Sequence, residues 1–249
     1  MIWERCHGVQ HIQPVQGTLF RLVESQQQVA TLGFVDTLEE QVLLEEMLES
    51  IKPIYTNTEQ SINLHYLLKT PFRYPPLKWG SRFGQTYEPS IFYGAQEVKT
   101  TLAESAYYRF VFWYSMEGEP IKHKINSEHT VFSIDYETHR GVQLQNTPFN
   151  AYQSELTHPQ HYQSSQQVGA KMREADVEVF EYQSARNSEG TCVGLFSPKA
   201  FVQKKPTNTN QWLCEVSANM VSFKPLDSKE VTSFSIDLFL IENRFPLPA

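Results

Sequence analysis

The 249-residue chain reads as an α+β protein. Three observations point there. Short apolar runs rich in Val, Phe and Tyr recur from about residue 90 to the end, helical stretches interrupt them, and strand and helix do not alternate as a doubly wound parallel sheet requires. Hydrophobic residues make up 40% and aromatics 13% of the chain, which favours a packed core over global disorder.

Taken in order, "DTLEEQVLLEEMLESIKP" predicts a helix. Asp36 or Thr37 can cap it, acidic residues suit its first turn, Leu43, Met47 and Leu48 supply part of an apolar face, and Pro53 stops it. A short helical stretch is expected in "EQSINLHYLLKT", so the first 70 residues or so read as a mostly helical layer. "TPFRYPPLKWGSRFG", rich in proline, aromatics and glycine, predicts an ordered loop packed on something larger. "SIFYGA" predicts a strand, and a helix follows from about Glu97 to Tyr114. Then come "HTVFSIDYE" as a strand, "PQHYQSSQQVGAKMREAD" as a polar helix, and "VEVFEYQ" and "TCVGLFS" as strands around the turn "SARNSEG". "QWLCEVSA", "NMVSFKP" and "VTSFSIDLFLIE" complete the strands.

Composition narrows the function. A net charge of -7, spread along the chain, gives no electrostatic footprint for direct nucleic-acid or anionic-membrane binding. The N-terminus lacks the pattern of a secretory signal, and no run approaches a membrane span. Three widely separated cysteines, Cys6, Cys192 and Cys214, fit a reduced protein better than a disulfide framework, so a cytoplasmic location is expected. "HPQH" and "HGVQH" have no partner pair for a metal, and no GxGxxG or Walker loop appears. Cys192, in an apolar strand, reads as an inert core residue.

Arg82, Tyr93 and Glu104 sit at near-even intervals across a turn, a strand and a helix. On a wheel of about 100° per residue, Val98, Leu102, Ala106, Phe110 and Trp113 form the core stripe. Glu104 falls opposite, beside Glu97, Thr100, Thr101, Tyr108 and Val111, which on its own describes a solvated glutamate. The bulky "AYYRFVFWY" half, however, predicts a helix covered on more than one side.

In order and spacing, "GSRFG", "SIFYGA", "TTLAES" and the serine of "FEYQSARN" resemble the core of RES-domain proteins, over about residues 70 to 203. The turn departs from commoner members in having Phe83 and Gly84 where they carry tryptophan and asparagine, and only "FSPKAF" approximates their Asn-Pro segment. The resemblance implies a fold like that of ADP-ribosyltransferases, with residues 1–69 as a helical extension and 70–249 as the catalytic domain. It implies an NAD-consuming toxin that phosphorolyses NAD to nicotinamide and ADP-ribose 1″-phosphate. Inorganic phosphate is then the co-substrate, no metal is needed, and the partner is a cognate DNA-binding antitoxin. Protein ADP-ribosylation and a non-catalytic binding role on the same fold are the alternatives.

On this reading the catalytic residues are Arg82, Glu104 and Ser184, and the NAD-binding residues are Arg82, Tyr93, Ser184 and Arg186. Glu104 would stabilise a cationic ribose. Arg82 would hold phosphate or, alternatively, pin the proline-rich loop. Tyr93 would stack on the nicotinamide or serve as a core tyrosine. Ser184 would meet phosphate or ribose, or merely cap its turn. Arg186 and Arg73 are further anion-binding candidates.

Overall fold

A computed structural model describes residues 1–25, 35–53, 63–118 and 122–248. Its centre is one eight-stranded sheet: β1 (Gln13–Glu24), β2 (Phe92–Ala95), β3 (Ile125–Gln143), β4 (Val179–Gln183), β5 (Thr191–Leu195), β6 (Asn208–Val216), β7 (Met220–Pro225) and β8 (Thr232–Ser235). The strand order is β1-β2-β5-β4-β3-β6-β7-β8, with β1 also paired to β3. The first five of these strands therefore close into a ring, and β6 to β8 extend from it. Only β3 and β4 run parallel; all other pairs are antiparallel. β3 spans 19 residues, long enough for Ile125–Ser133 to pair with β6 and Gly141–Gln143 with β4. Runs of strands with inserted helices make this an α+β fold, as expected.

The N-terminal 69 residues carry the helices α1 (Ile2–Arg5), α2 (Leu38–Ile51) and α3 (Tyr66–Lys69), and also β1, which the sequence reading missed. β1 pairs residue by residue with β3 from Glu24↔His129 to Val15↔Thr138, so this segment is built into the sheet and is not a layer laid over it. Val15 and Leu19 are buried on one face, while Pro14 and the glutamines blur the alternation that marks a strand. Thr37 caps α2 in a full capping box with Glu40. Leu43 and Met47 do not face a core; they are exposed, and Leu48 is half-buried. Of the short helix expected in residues 59–70, positions 59–62 lie outside the described residues.

The helix α4 (Val98–Tyr114) matches its expected bounds and is covered on more than one side. Leu102, Ala106, Phe110 and Trp113 are buried, and so are Thr100, Thr101, Tyr107 and Val111. It packs with Cys214, Val216, Val221 and Phe223 of β6 and β7. After the short helix α5 (Gln153–Leu156), the polar helix α6 (Gln163–Glu174) adds Val168 and Met172 to the core cluster of Phe83, Phe180 and Cys192. The last expected strand is cut short. Ser235 accepts a hydrogen bond from the Asp237 N–H and turns Ile236–Leu238 into a 3-10 helix. Among the described residues no helix is long and apolar enough to cross a membrane.

Candidate active site

Arg82 is carried on a turn that α6 holds in place. Gly80 has φ +73, which favours glycine, and Ser81 and Gly84 exchange backbone hydrogen bonds of 2.7 and 3.3 Å. The Gln166 side-chain amide donates to the carbonyls of Trp79, Ser81 and Gly84 at 3.2, 3.0 and 3.3 Å. Phe83, fully buried, sits edge-on to Phe180 and Tyr182, both at 4.8 Å. The departure from the commoner family turn at Phe83 therefore falls in the core. Arg82 is buried; its Nη1 donates to the carbonyls of Leu156 and His158 at 3.2 and 2.8 Å, and the guanidinium lies 4.9 Å from the Tyr162 ring centre. Both hydrogen bonds use Nη1, which leaves Nε and Nη2 for a ligand.

Tyr93, in β2, is tied to the same turn. Its hydroxyl accepts from the Phe83 N–H at 3.2 Å and lies 2.9 Å from Ser81 Oγ. Burial pushes its pKa up to about 12, against the lowering effect of these hydrogen bonds, so it stays neutral at physiological pH. With its hydroxyl committed to the turn, Tyr93 has its ring left for a ligand. Its carbonyl accepts from Arg21 Nη1 at 2.5 Å. Arg21, from β1, also lies 4.8 Å from the Phe92 ring centre, and its Nε is buried with no hydrogen-bond partner among the described residues. Burial lowers its pKa to about 10, which still leaves it charged at neutral pH.

Glu104 is half-buried rather than solvated. Ser184 Oγ donates to its Oε1 at 2.5 Å, and Cys192 Sγ lies 3.7 Å from the same oxygen. Ser184 is buried and its hydroxyl also accepts from the N–H groups of Arg186 and Asn187, at 3.1 and 3.0 Å. It is thus both a turn cap and the group that orients Glu104. Burial, and then the nearby Glu104 charge, raise the Cys192 thiol well above its usual pKa, so it stays protonated. Arg186 stacks on Tyr107 with its guanidinium carbon 3.4 Å from the ring centre, and its Nη2 donates to the Pro159 carbonyl at 3.3 Å.

These groups surround one cavity of about 400 Å³. Arg21, Arg82, Tyr93, Glu104 and Arg186 line it, with Tyr108, Tyr182 and Cys192, and the proline-rich loop supplies a wall through Pro71, Tyr74, Pro75 and Trp79. Of the expected residues, Arg82, Tyr93, Glu104 and Arg186 meet there, and Ser184 stands behind Glu104. Arg73 does not join them. It donates to Glu49 and to the Pro53 carbonyl at 2.7 and 2.5 Å and ties the loop to α2. His158 and His161 stack at 4.7 Å, with His158 Nδ1 accepting from the N–H groups of Gln160 and His161. Among the described residues no three His, Cys, Asp or Glu side chains gather as a metal would need. Sequence reasoning missed Arg21, Trp79 and Tyr182, and it read Cys192 as core only. For Arg21 the available signal was the alternation of Val15, Gly17, Leu19 and Arg21 along β1.

Arg21, Arg82 and Arg186 line one cavity with Glu104, between aromatic walls, an arrangement suited to an anionic ligand with a ring. Residues 59–217 match the RES-domain family model, well over half of the chain, and the chain belongs to that family. No curated protein matches it. A similar solved structure is the crystal structure of the M. tuberculosis MbcT–MbcA toxin–antitoxin complex, at 10% identity and a TM-score of 0.49, covering 84% of this chain and 90% of that one.

Proposed function

We propose that this protein is an NAD-degrading enzyme that splits the nicotinamide–ribose bond by phosphorolysis. The observation that carries this reading is the carboxylate of Glu104, oriented by Ser184 at 2.5 Å in a cleft whose other charged lining groups are Arg21, Arg82 and Arg186. As the bond to nicotinamide lengthens, its electron pair leaves with the neutral base and positive charge grows on the ribose. Glu104 stabilises that charge and orients a ribose hydroxyl. The arginines hold the dinucleotide pyrophosphate and the incoming phosphate, whose oxygen forms the new bond at the ribose carbon that nicotinamide leaves. The ring of Tyr93 stacks on the nicotinamide. The products are nicotinamide and ADP-ribose 1″-phosphate.

Membership of the RES-domain family supports a role as the toxin of a toxin–antitoxin pair, acting in the cytoplasm and neutralised by a cognate DNA-binding antitoxin. The test is incubation of the protein with NAD, with and without inorganic phosphate, followed by phosphorus NMR, with Glu104→Gln in parallel. Phosphate-dependent NAD loss with a new sugar-phosphate signal, absent in the variant, is expected. Loss independent of phosphate would replace phosphorolysis by hydrolysis or by ADP-ribosyl transfer to protein. No turnover would leave a binding protein on this fold.

A further inference from the structure

Outside the family-matched residues, α2 turns an apolar stripe to solvent. Leu43, Met47 and Ile51, spaced i, i+4 and i+8, are 57%, 58% and 78% exposed, while Leu44 and Leu48 beside them are half-buried. A helix of this composition ordinarily buries such a stripe. Its polar residues are mostly acidic. The helix "LEEQVLLEEMLESI" holds five glutamates and no Lys, Arg or His. Glu49 is neutralised by Lys52 and Arg73, at 2.8 and 2.7 Å, and Glu40 accepts the N–H groups of Asp36 and Thr37 in the cap. Glu39 and Glu46 make no hydrogen bond or ion pair among the described residues. At about 100° per residue they fall together along the solvent edge of the stripe.

We propose that α2 is a docking helix for a basic amphipathic helix of a partner protein. The partner's apolar residues would cover Leu43, Met47 and Ile51, and its Lys or Arg residues would meet Glu39 and Glu46. The charge selects this occupant. A second copy of α2 would bring like charges together, and an anionic lipid surface would be repelled. The Arg73 contacts with Glu49 and the Pro53 carbonyl hold the C-terminal end of α2 to the loop that walls the cleft, so the stripe is presented from an anchored element.

The test uses the full chain and a labelled amphipathic peptide of leucine and lysine, read by fluorescence anisotropy, beside a control with glutamate in place of lysine. Expected are saturable binding of the basic peptide, weakening with salt, and no binding of the acidic one. Leu43→Ser/Met47→Ser and Glu39→Gln/Glu46→Gln should each weaken binding about tenfold or more, because each removes one half of the contact. Circular dichroism checks that both variants fold. Equal binding to wild type and variants, or to both peptides, overturns the proposal. So does a wild-type dimer in analytical ultracentrifugation that Leu43→Ser/Met47→Ser abolishes, which would make the stripe a self-interface.

Discussion

Ser184→Ala isolates the contribution of one hydroxyl to the cleft. That group donates to Glu104 Oε1 at 2.5 Å and accepts two backbone N–H groups at 3.1 and 3.0 Å. A hydrogen bond to a charged group contributes about 1.5–3 kcal/mol, and loss of a turn or helix cap costs about 1 kcal/mol. On the proposed function, the first amount acts on the reaction, because an unheld carboxylate can swing away from the ribose. At about 1.4 kcal/mol per factor of ten, kcat for NAD loss should fall roughly 10- to 100-fold. The second acts on folding and should lower Tm by about 2–4 °C for a chain of this size. Initial rates of NAD consumption and a thermal melt measure the two separately. A variant with a lowered Tm and an unchanged kcat would refute the reasoning. Ser184 would then be a turn cap alone, and the orientation of Glu104 would owe it nothing.

On the proposed function, Arg21→Met should raise KM for NAD about tenfold or more with a smaller change in kcat, since it would remove one charge-assisted contact to phosphate; an unchanged KM in steady-state kinetics would take Arg21 out of substrate binding. Gly169→Ala should destabilise the fold and impair the Arg82 turn, because a Cβ there would lie 1.8 Å from the Phe83 carbonyl oxygen; a melt and NAD turnover check both effects. His129 is buried, and desolvation, with the nearby Arg109 charge, lowers its pKa to about 4. The unfolded chain therefore binds the extra proton first as pH falls from about 6.5, and stability should drop by up to roughly 3 kcal/mol by pH 4. His129→Gln should flatten that dependence in denaturant titrations across this range.

Much of the site was legible because its residues follow one another closely in the chain. The turn of Arg82, the strand of Tyr93 and the helix of Glu104 each carry strong local signals, and β2 and α4 formed where those signals placed them. The wheel grouped Glu104 with Thr101 and Tyr108, which line the cavity with it, but also with Glu97, Thr100 and Val111, which do not; it read that whole side as solvent. What covers it is the proline-rich loop, together with β1, and no periodicity within α4 can announce a neighbour. Arg21 stayed hidden for a related reason. Its strand is blurred by Pro14 and two glutamines, Gln13 and Gln16, and its main partner lies on β3, about a hundred residues away. The reading of Leu43 and Met47 failed differently, since an apolar stripe says that something should cover it and not that this chain does.

The closure of β1 onto β3 also sets an order of events during synthesis. Glu24 pairs with His129 and Val15 with Thr138, so the first strand leaves the ribosome long before its partner exists. β5, which supplies Cys192 and the neighbour of β2, is made later still. A polypeptide that stops short of β5 can complete neither the ring nor the floor of the cleft. Glu104 then lacks Cys192 beside it, and prematurely ended translation products of this protein should be inert.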